Sequence, residues 1–273
     1  MGVFQNNLLA GAAAAASAGG GGFYDYQIEQ SCRFDRASSS YLYRSQPSGG
    51  STSKYTISLW FKLGGIYSYQ AFIGAFNAST SYYVGTDSGT GFYADDVWLD
   101  VQQVYSTRTA GGMSLRGVNG WTHLVVAFDL SQGTATNKIK YYINGNQLAA
   151  SVFTTDQRSL MNTSNSQAYG TQGVNLQIGY ARGGQNYYDG YLAEVAYVDN
   201  QQYDPSYFAE TKNGVWVPKD LSSGITWGTN GSWCKFENSG DLGNDSSGNN
   251  NDFTASGLGA DHQVLDSPTI GTG

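Results

Sequence analysis

Charge is scarce in this chain. Only 13% of its 273 residues are Asp, Glu, Lys or Arg, about half the share typical of a folded chain. The 14 basic residues against 21 acidic ones leave 14 − 21 = −7, which argues against the basic footprint that nucleic-acid binding requires. Two cysteines and two histidines are too few for a disulfide scaffold or an unaided zinc site. No stretch approaches the roughly 20 apolar residues of a membrane-spanning helix, so membrane insertion is not expected. No Lys or Arg precedes Arg33, and Ala and Gly stand where a signal peptide needs Leu. Met1–Gly22 therefore does not read as a secretory leader.

What is abundant is glycine, 37 residues, and tyrosine, 21 residues within a 14% aromatic content. Disordered chains lack aromatics and carry charge, so this is a folded protein whose surface is polar and neutral. From residue 23 onward the pattern is short strands and polar turns with no sustained helical period. Tyr55, Ile57, Leu59 and Phe61 mark one face of a strand, while His123–Asp129 is apolar on both faces. Lys138–Ile143 and Gln147–Val152 flank Asn144-Gly145-Asn146, a hairpin signal. Leu176–Gly179 and Tyr191–Tyr197 read as further strands. One helix is expected over Asp204–Glu210, with Asp204 as N-cap, Pro205 in first position and Gly214 beyond its end. The fold class is all-β, an antiparallel β-sandwich or jelly roll. Residues 1–22, ending in four glycines, read as a flexible Ala/Gly-rich arm, with Phe4, Leu8 and Leu9 as its anchoring side chains; a frayed terminus without a role accounts for the same composition. Residues 23–256 form the domain, and 257–273 a polar tail.

Cys32 and Cys234 sit in matching contexts, Cys-Arg-Phe and Cys-Lys-Phe, each with Cys and Phe on one strand face and the basic residue on the other. Two buried free thiols or one cross-strand disulfide both satisfy this pattern.

The ordered series Gly120-Trp121-Thr122-His123-Leu124-Val125, Tyr141-Tyr142-Ile143-Asn144-Gly145, Leu176-Gln177-Ile178-Gly179 and Asp189-Gly190-Tyr191-Leu192-Ala193-Glu194-Val195 resembles the laminin G-type, concanavalin A-like jelly roll. The resemblance covers about residues 31–255. Cys234-Lys235-Phe236-Glu237 followed by Asp245–Phe253 resembles the segment that ordinarily opens such a domain, and here it comes last, which implies a circularly permuted order. Phe4–Gly11, the Ala/Gly arm, the stretch around Arg33–Arg44 and the closing Asp-Ser-Pro-Thr resemble laminin G-like virion proteins of tailed bacteriophages.

That resemblance implies a structural particle protein, a capsid decoration, head fibre or tail fibre, assembled in a host cytoplasm and exposed on the virion surface. Its arm would hold other virion proteins, and the chain would form a symmetric homo-oligomer, a trimer first among the options. It also implies a Ca²⁺ at the sandwich rim, for which Asp245, Asn250, Asp252, Asp189 and Glu194 supply oxygen ligands. An Asx-rich turn bonding its own backbone explains Asp245–Asp252 equally. Loop tyrosines Tyr67, Tyr69, Tyr82, Tyr83, Tyr187 and Tyr188 are the expected contacts for host glycans, since sugars are met by aromatic faces and neutral polar groups. Packing between loops or subunits accounts for the same residues.

Catalysis is not expected. Glycosidases of this fold need two carboxylates close together across one sugar, and the four glutamates, Glu29, Glu194, Glu210 and Glu237, all lie more than ten residues apart. His123 reads as a buried imidazole and His262 lies in the polar tail. Gly19–Gly22 lacks the Lys-Ser/Thr of a phosphate loop. A free carbohydrate-binding module is the alternative to the particle protein.

Overall fold

The computed structural model describes residues 23–65, 67, 69–76, 81–86, 107–109, 120–164, 168–181 and 186–270; the arm residues Phe4, Leu8 and Leu9 lie outside this set. Among the described residues, seventeen short strands carry the fold. In chain order they are β1 (Ser31–Phe34), β2 (Tyr41–Ser45), β3 (Lys54–Leu63), β4 (Gln70–Phe76), β5 (Ser81–Thr86) and β6 (Thr107–Thr109). There follow β7 (Thr122–Asp129), β8 (Ile139–Ile143), β9 (Asn146–Gln147), β10 (Phe153–Asp156), β11 (Asn175–Ile178) and β12 (Gly190–Asp199). The last are β13 (Ala209–Lys212), β14 (Val215–Pro218), β15 (Ser232–Cys234), β16 (Thr254–Ser256) and β17 (Gln263–Val264). An eight-stranded sheet runs β17-β1-β12-β3-β7-β8-β9, with β15 also on β12, and a five-stranded sheet runs β16-β2-β11-β4-β5. The pairings in both sheets are antiparallel, as expected for an all-β sandwich.

Side-chain alternation decides which residues fill the sandwich. Ile57, Leu59 and Phe61 of β3 and Leu124, Val126 and Phe128 of β7 meet Leu42, Ile73, Val84, Leu176 and Ile178 of the smaller sheet in one apolar cluster. At about 25 cal/mol per Å² of apolar surface removed from water, this shared layer is the main force joining the sheets. The other face of β3 is buried as well. Thr56, Ser58 and Trp60 are covered, because residues 26–28 and 203–233 lay a second apolar layer, including Phe208, Leu221 and Trp233, on the outside of the larger sheet.

The expected helix at Asp204–Glu210 is corrected. Asp204 does cap, its side chain accepting from Ser206 N at 2.8 Å with Pro205 in first position. Only one 3₁₀ turn, Pro205–Tyr207, follows before β13 begins. Phe208 and Ala209 are buried against the large sheet, and β13 pairs with β14; that pairing satisfies the backbone, so the helix does not continue. The strand expected over Gln147–Val152 shortens to Asn146–Gln147 and a 3₁₀ turn at Ala150–Val152. The Asn144-Gly145 hairpin forms as read, with φ of 46° and 80°, the left-handed pair such a turn needs.

Residues 257–270, expected as a tail, complete the fold. β17 pairs with β1, and Ile28 N donates to Thr269 Oγ1 at 2.9 Å, while Ser267 and Thr269 hydroxyls donate to Ile28 O. Polarity hid this role, because apart from Leu258, which packs on the core, the segment is held largely by hydrogen bonds.

Cys32 and Cys234 are free and fully buried, and burial pushes both thiols up from their ordinary pKa. Their strands lie one after the other along the same edge of β12, Cys32 opposite Leu192 and Cys234 opposite Val195. Phe34 and Phe236 meet edge to face at 6.3 Å.

Candidate functional site: a tyrosine and arginine rim

The six tyrosines expected to meet a ligand separate by strand geometry. Tyr82 and Tyr83 lie within β5 and are 5% and 7% exposed. Tyr82 stands opposite Ala75 and faces the core, and Tyr83 packs with Ala71 and Ala181 on the other face. Tyr188 is fully buried, its hydroxyl donating to Lys62 O at 2.7 Å and its ring meeting Phe72 at 5.1 Å. These three are corrected to packing residues: two occupy a strand read as a loop, and the third points inward one residue after Tyr187 points out.

Tyr67, Tyr69 and Tyr187 remain, and the fold brings them together. Tyr67 and Tyr69 are 42% and 40% exposed between β3 and β4. Arg36, between β1 and β2, gathers them. Its Nη1 donates to Tyr69 O at 3.2 Å and Tyr187 O at 3.0 Å, and its guanidinium carbon lies 5.3 Å from the centre of the Tyr67 ring. Such a cation over a ring face is attracted by the ring quadrupole. Tyr187 stacks on Tyr180 at 4.4 Å, Tyr180 meets Tyr41 at 5.0 Å, and Tyr41 meets Tyr43 at 5.7 Å. The Tyr67 hydroxyl bonds the Asp189 carboxylate, whose charge is the chief cause of the raised Tyr67 pKa. Asp189 is itself positioned by Gln70, whose Oε1 accepts from Asp189 N at 3.0 Å.

Arg36, Tyr41, Tyr43 and Tyr180 were not among the expected contacts. The signal was present: Tyr41 and Tyr43 alternate with the buried Leu42 and Arg44, which places both tyrosines on the outer face of the smaller sheet. The assembled surface offers exposed aromatic faces, a guanidinium fixed by carbonyls and a carboxylate. Such groups can stack on an apolar ligand face and hydrogen-bond to neutral polar groups.

The five residues named for Ca²⁺ do not converge. Asp245 Oδ1 accepts from Trp233 N at 2.8 Å and Ser247 N at 2.9 Å, and Oδ2 accepts from Ser247 Oγ at 2.8 Å and Asn251 N at 2.9 Å. Asp252 Oδ1 accepts from Asp245 N at 2.8 Å. Asn250 is exposed with a φ of 56°, while Asn249 and Asn251 tie the loop to carbonyls of residues 228–231. Four donors aimed at one carboxylate use its lone pairs, so Asp245 does not fit a cation. Asp189 belongs to the tyrosine rim and Glu194 lies under Trp233 and Tyr26. Among the described residues no group of three or more His, Cys, Asp or Glu is arranged to hold a metal ion.

Two buried polar arrangements resemble catalytic ones and fail on chemistry. Ser58 Oγ lies 2.9 Å from His123 Nε2, but Trp216 Nε1 donates to His123 Nδ1 at 3.1 Å. Indole only donates, so Nδ1 is bare, the proton sits on Nε2, and the ring cannot take the serine proton as a general base must. Burial lowers the His123 pKa to about 3, and Trp60 stacks on the ring at 4.7 Å. Glu194 sits at a bulge in β12 with a φ of 51° and is 5% exposed. Burial raises its pKa to about 7, against the opposing effect of donors Tyr26 OH and Trp233 Nε1. Tyr26 and Trp233 occupy both carboxyl oxygens, so no glycosidic oxygen reaches it as a glycosidase acid requires.

A family model described as the concanavalin A-like lectin/glucanases superfamily, Laminin_G_3, matches residues 36–201. No curated protein sequence matches the chain. Among solved structures, a candidate carbohydrate binding protein from Bacteroides ovatus ATCC 8483 is similar at a TM-score of 0.56 and 18% identity over 90% of this chain and 62% of the other. The chain thus spans about three fifths of that protein. The SAP-like pentraxin of Limulus polyphemus reaches 0.43 at 12% identity, covering 65% of this chain and 79% of its own. A CBM40 of Ruminococcus gnavus bound to sialyllactose reaches 0.33 at 16%, covering 55% and 89%. At these identities the likeness speaks for the fold alone.

Proposed function

We propose that this chain, which belongs to the concanavalin A-like lectin/glucanases superfamily, is a non-catalytic jelly roll that binds carbohydrate at the rim built by Arg36, Tyr67, Tyr69 and Tyr187. The observation that carries this reading is the exposure of Tyr67 and Tyr69 beside a guanidinium held in place by two carbonyls. Exposed aromatic faces cost free energy in water, and a sugar's C–H face covers them while its hydroxyls meet Asp189 and nearby carbonyls. The carbohydrate-binding description of the Bacteroides ovatus relative supports it. The test is a glycan array with the whole chain, followed by titration of the best hit. Tyr67→Ala should weaken that binding about tenfold or more, roughly 1.4 kcal/mol. Unchanged affinity in Tyr67→Ala and Tyr187→Ala, or silence of the wild type across the array, overturns it.

The motifs at both ends support a setting for this module, display on the surface of a tailed-phage particle assembled in the host cytoplasm. On this reading the arm around Phe4, Leu8 and Leu9 engages other virion proteins and the domain assembles as a homo-oligomer, a trimer. The end-to-end placement of the two Cys-Phe strands on β12 supports the permuted order, since β15 and β1 run in the same direction as two pieces of one edge. Deleting residues 1–22 should abolish incorporation into particles while the circular dichroism of the domain stays unchanged. Retained incorporation would remove the arm from this role.

A further inference from the structure

Arg44 stands on the inner face of the sandwich. β2 turns Leu42 and Arg44 inward, and Arg44 shares an inner row with Leu176, Ala75 and Tyr82. Its Nη2 donates to Asn230 O at 2.5 Å, and its guanidinium carbon lies 5.1 Å from the centre of the Phe253 ring. The remaining arms, Nε and Nη1, have no hydrogen-bond partner among the described residues. The nearby carboxylates are committed elsewhere, Asp199 to Ser51 N and Asn230 N and Asp245 to its own turn.

The same end of the interior holds further unpartnered polar atoms. Among the described residues, both side-chain atoms of Asn230, Nδ2 and Oδ1, lack a partner, as do the hydroxyls of Tyr197 and Tyr55. Those two tyrosine rings lie 5.8 Å apart. Tyr197 heads the groups acting electrostatically on Arg44, followed by Cys234, Asp245 and Asp199. Each buried polar atom left unmet costs about 1–3 kcal/mol. Six of them would consume most or all of the 5–15 kcal/mol margin of a typical domain.

We propose that this end of the sandwich is an internal water site, in which ordered water accepts from Arg44 Nε and Nη1 and from Asn230 Nδ2, and donates to Asn230 Oδ1 and the Tyr197 and Tyr55 hydroxyls. The chemistry of the set selects water over an ion. It contains acceptors as well as donors, so an anion would leave the Asn230 carbonyl oxygen unmet, and Asp199 and Asp245 repel an anion. A cation is repelled by the guanidinium. Exchanging the Asn230 oxygen and nitrogen changes nothing, because both are unpartnered. The water would bridge β2 of one sheet to β12 and residue 230 beside the other, joining the last fifth of the chain to its early strands.

A crystal structure of the full chain at high resolution, with a parallel bromide soak, decides this. The expected result is fully occupied water within about 3.2 Å of Arg44 Nε or Nη1 and of at least one other named atom. An anomalous bromide peak at Arg44, or side chains that close on one another and leave no water, overturns it. In solution, Arg44→Met should remove at least one long-lived internal water seen by magnetic relaxation dispersion of the wild type. No long-lived water in the wild type, or an equal number in a folded Arg44→Met, also overturns it.

Discussion

Glu194 ties the stability of this protein to pH. It accepts from Tyr26 OH at 2.8 Å and from Trp233 Nε1, so it joins the segment entering the domain to β15. Its folded pKa of about 7 stands above the ordinary 4.5, with burial as the main cause. Below pH 4.5 the acid is neutral in both states and its burial costs no charge. As pH rises from 4.5 towards 7 the unfolded chain ionises first, so folding stability falls, by up to about 3 kcal/mol. His123, held below its usual value, loses stability in the other direction, as pH falls from 6.5 towards 3. The test is therefore a difference: the melting temperature of wild type minus that of Glu194→Gln should drop across pH 4.5–7. A flat difference would refute the assignment. The amide retains an acceptor for Trp233 and a donor for Tyr26, so the variant removes the charge and keeps the contacts.

The β8–β9 hairpin shows how an element depends on what lies across from it. Asn144 and Gly145 adopt left-handed φ values, Asn144 Oδ1 accepts from His123 N at 2.8 Å, and Trp216 of β14 packs on the turn. A Cβ at residue 145 would lie 2.7 Å from the Trp216 ring. Gly145→Ala should destabilise the domain by about 1–3 kcal/mol, the sum of left-handed strain and displacement of that ring, measurable as a lower urea midpoint at unchanged slope. Gly214→Ala provides the control. It sits at a φ of 81° in the β13–β14 turn with open space around it, so it should show only the backbone part. Equal losses in both would remove Trp216 from the account. The hairpin was legible because Asn-Gly acts locally. The Asp204 cap was legible too, and yet the helix it announces stops after one turn, since pairing of β13 with β14 lies beyond the reach of capping chemistry.

At the scale of the molecule, the early and late parts of the described chain close one another. Ile28 is clamped by Ser267 and Thr269, Ser31 Oγ donates to Asp266 O at 2.6 Å, and Asp266 accepts from Trp121 Nε1 at 3.0 Å while pairing with Lys62. Removing residues 263–273 strips β1 of its outer neighbour and leaves these groups unpaired, at about 1 kcal/mol or more for each hydrogen bond. Thermal unfolding of that truncation should begin several degrees lower; an unchanged transition would show that the segment only decorates the edge. The tyrosine rim is another product of this scale. Arg36, Tyr67 and Tyr187 come from three separate connections and meet because β1, β3 and β12 are neighbours in one sheet.

The sequence by itself determined the class of fold, the free buried thiols' matching strand faces, the Asn-Gly turn and the lack of paired glutamates, because period, turn chemistry and composition act over a few residues. Only the tertiary structure decided which tyrosines face outward, that β3 is covered on both sides, that Asp245 spends its lone pairs on its own turn, and that a polar C-terminal stretch is an edge strand. Those outcomes depend on contacts between residues some twenty to two hundred and forty positions apart, and burial there is set by the neighbour across the gap.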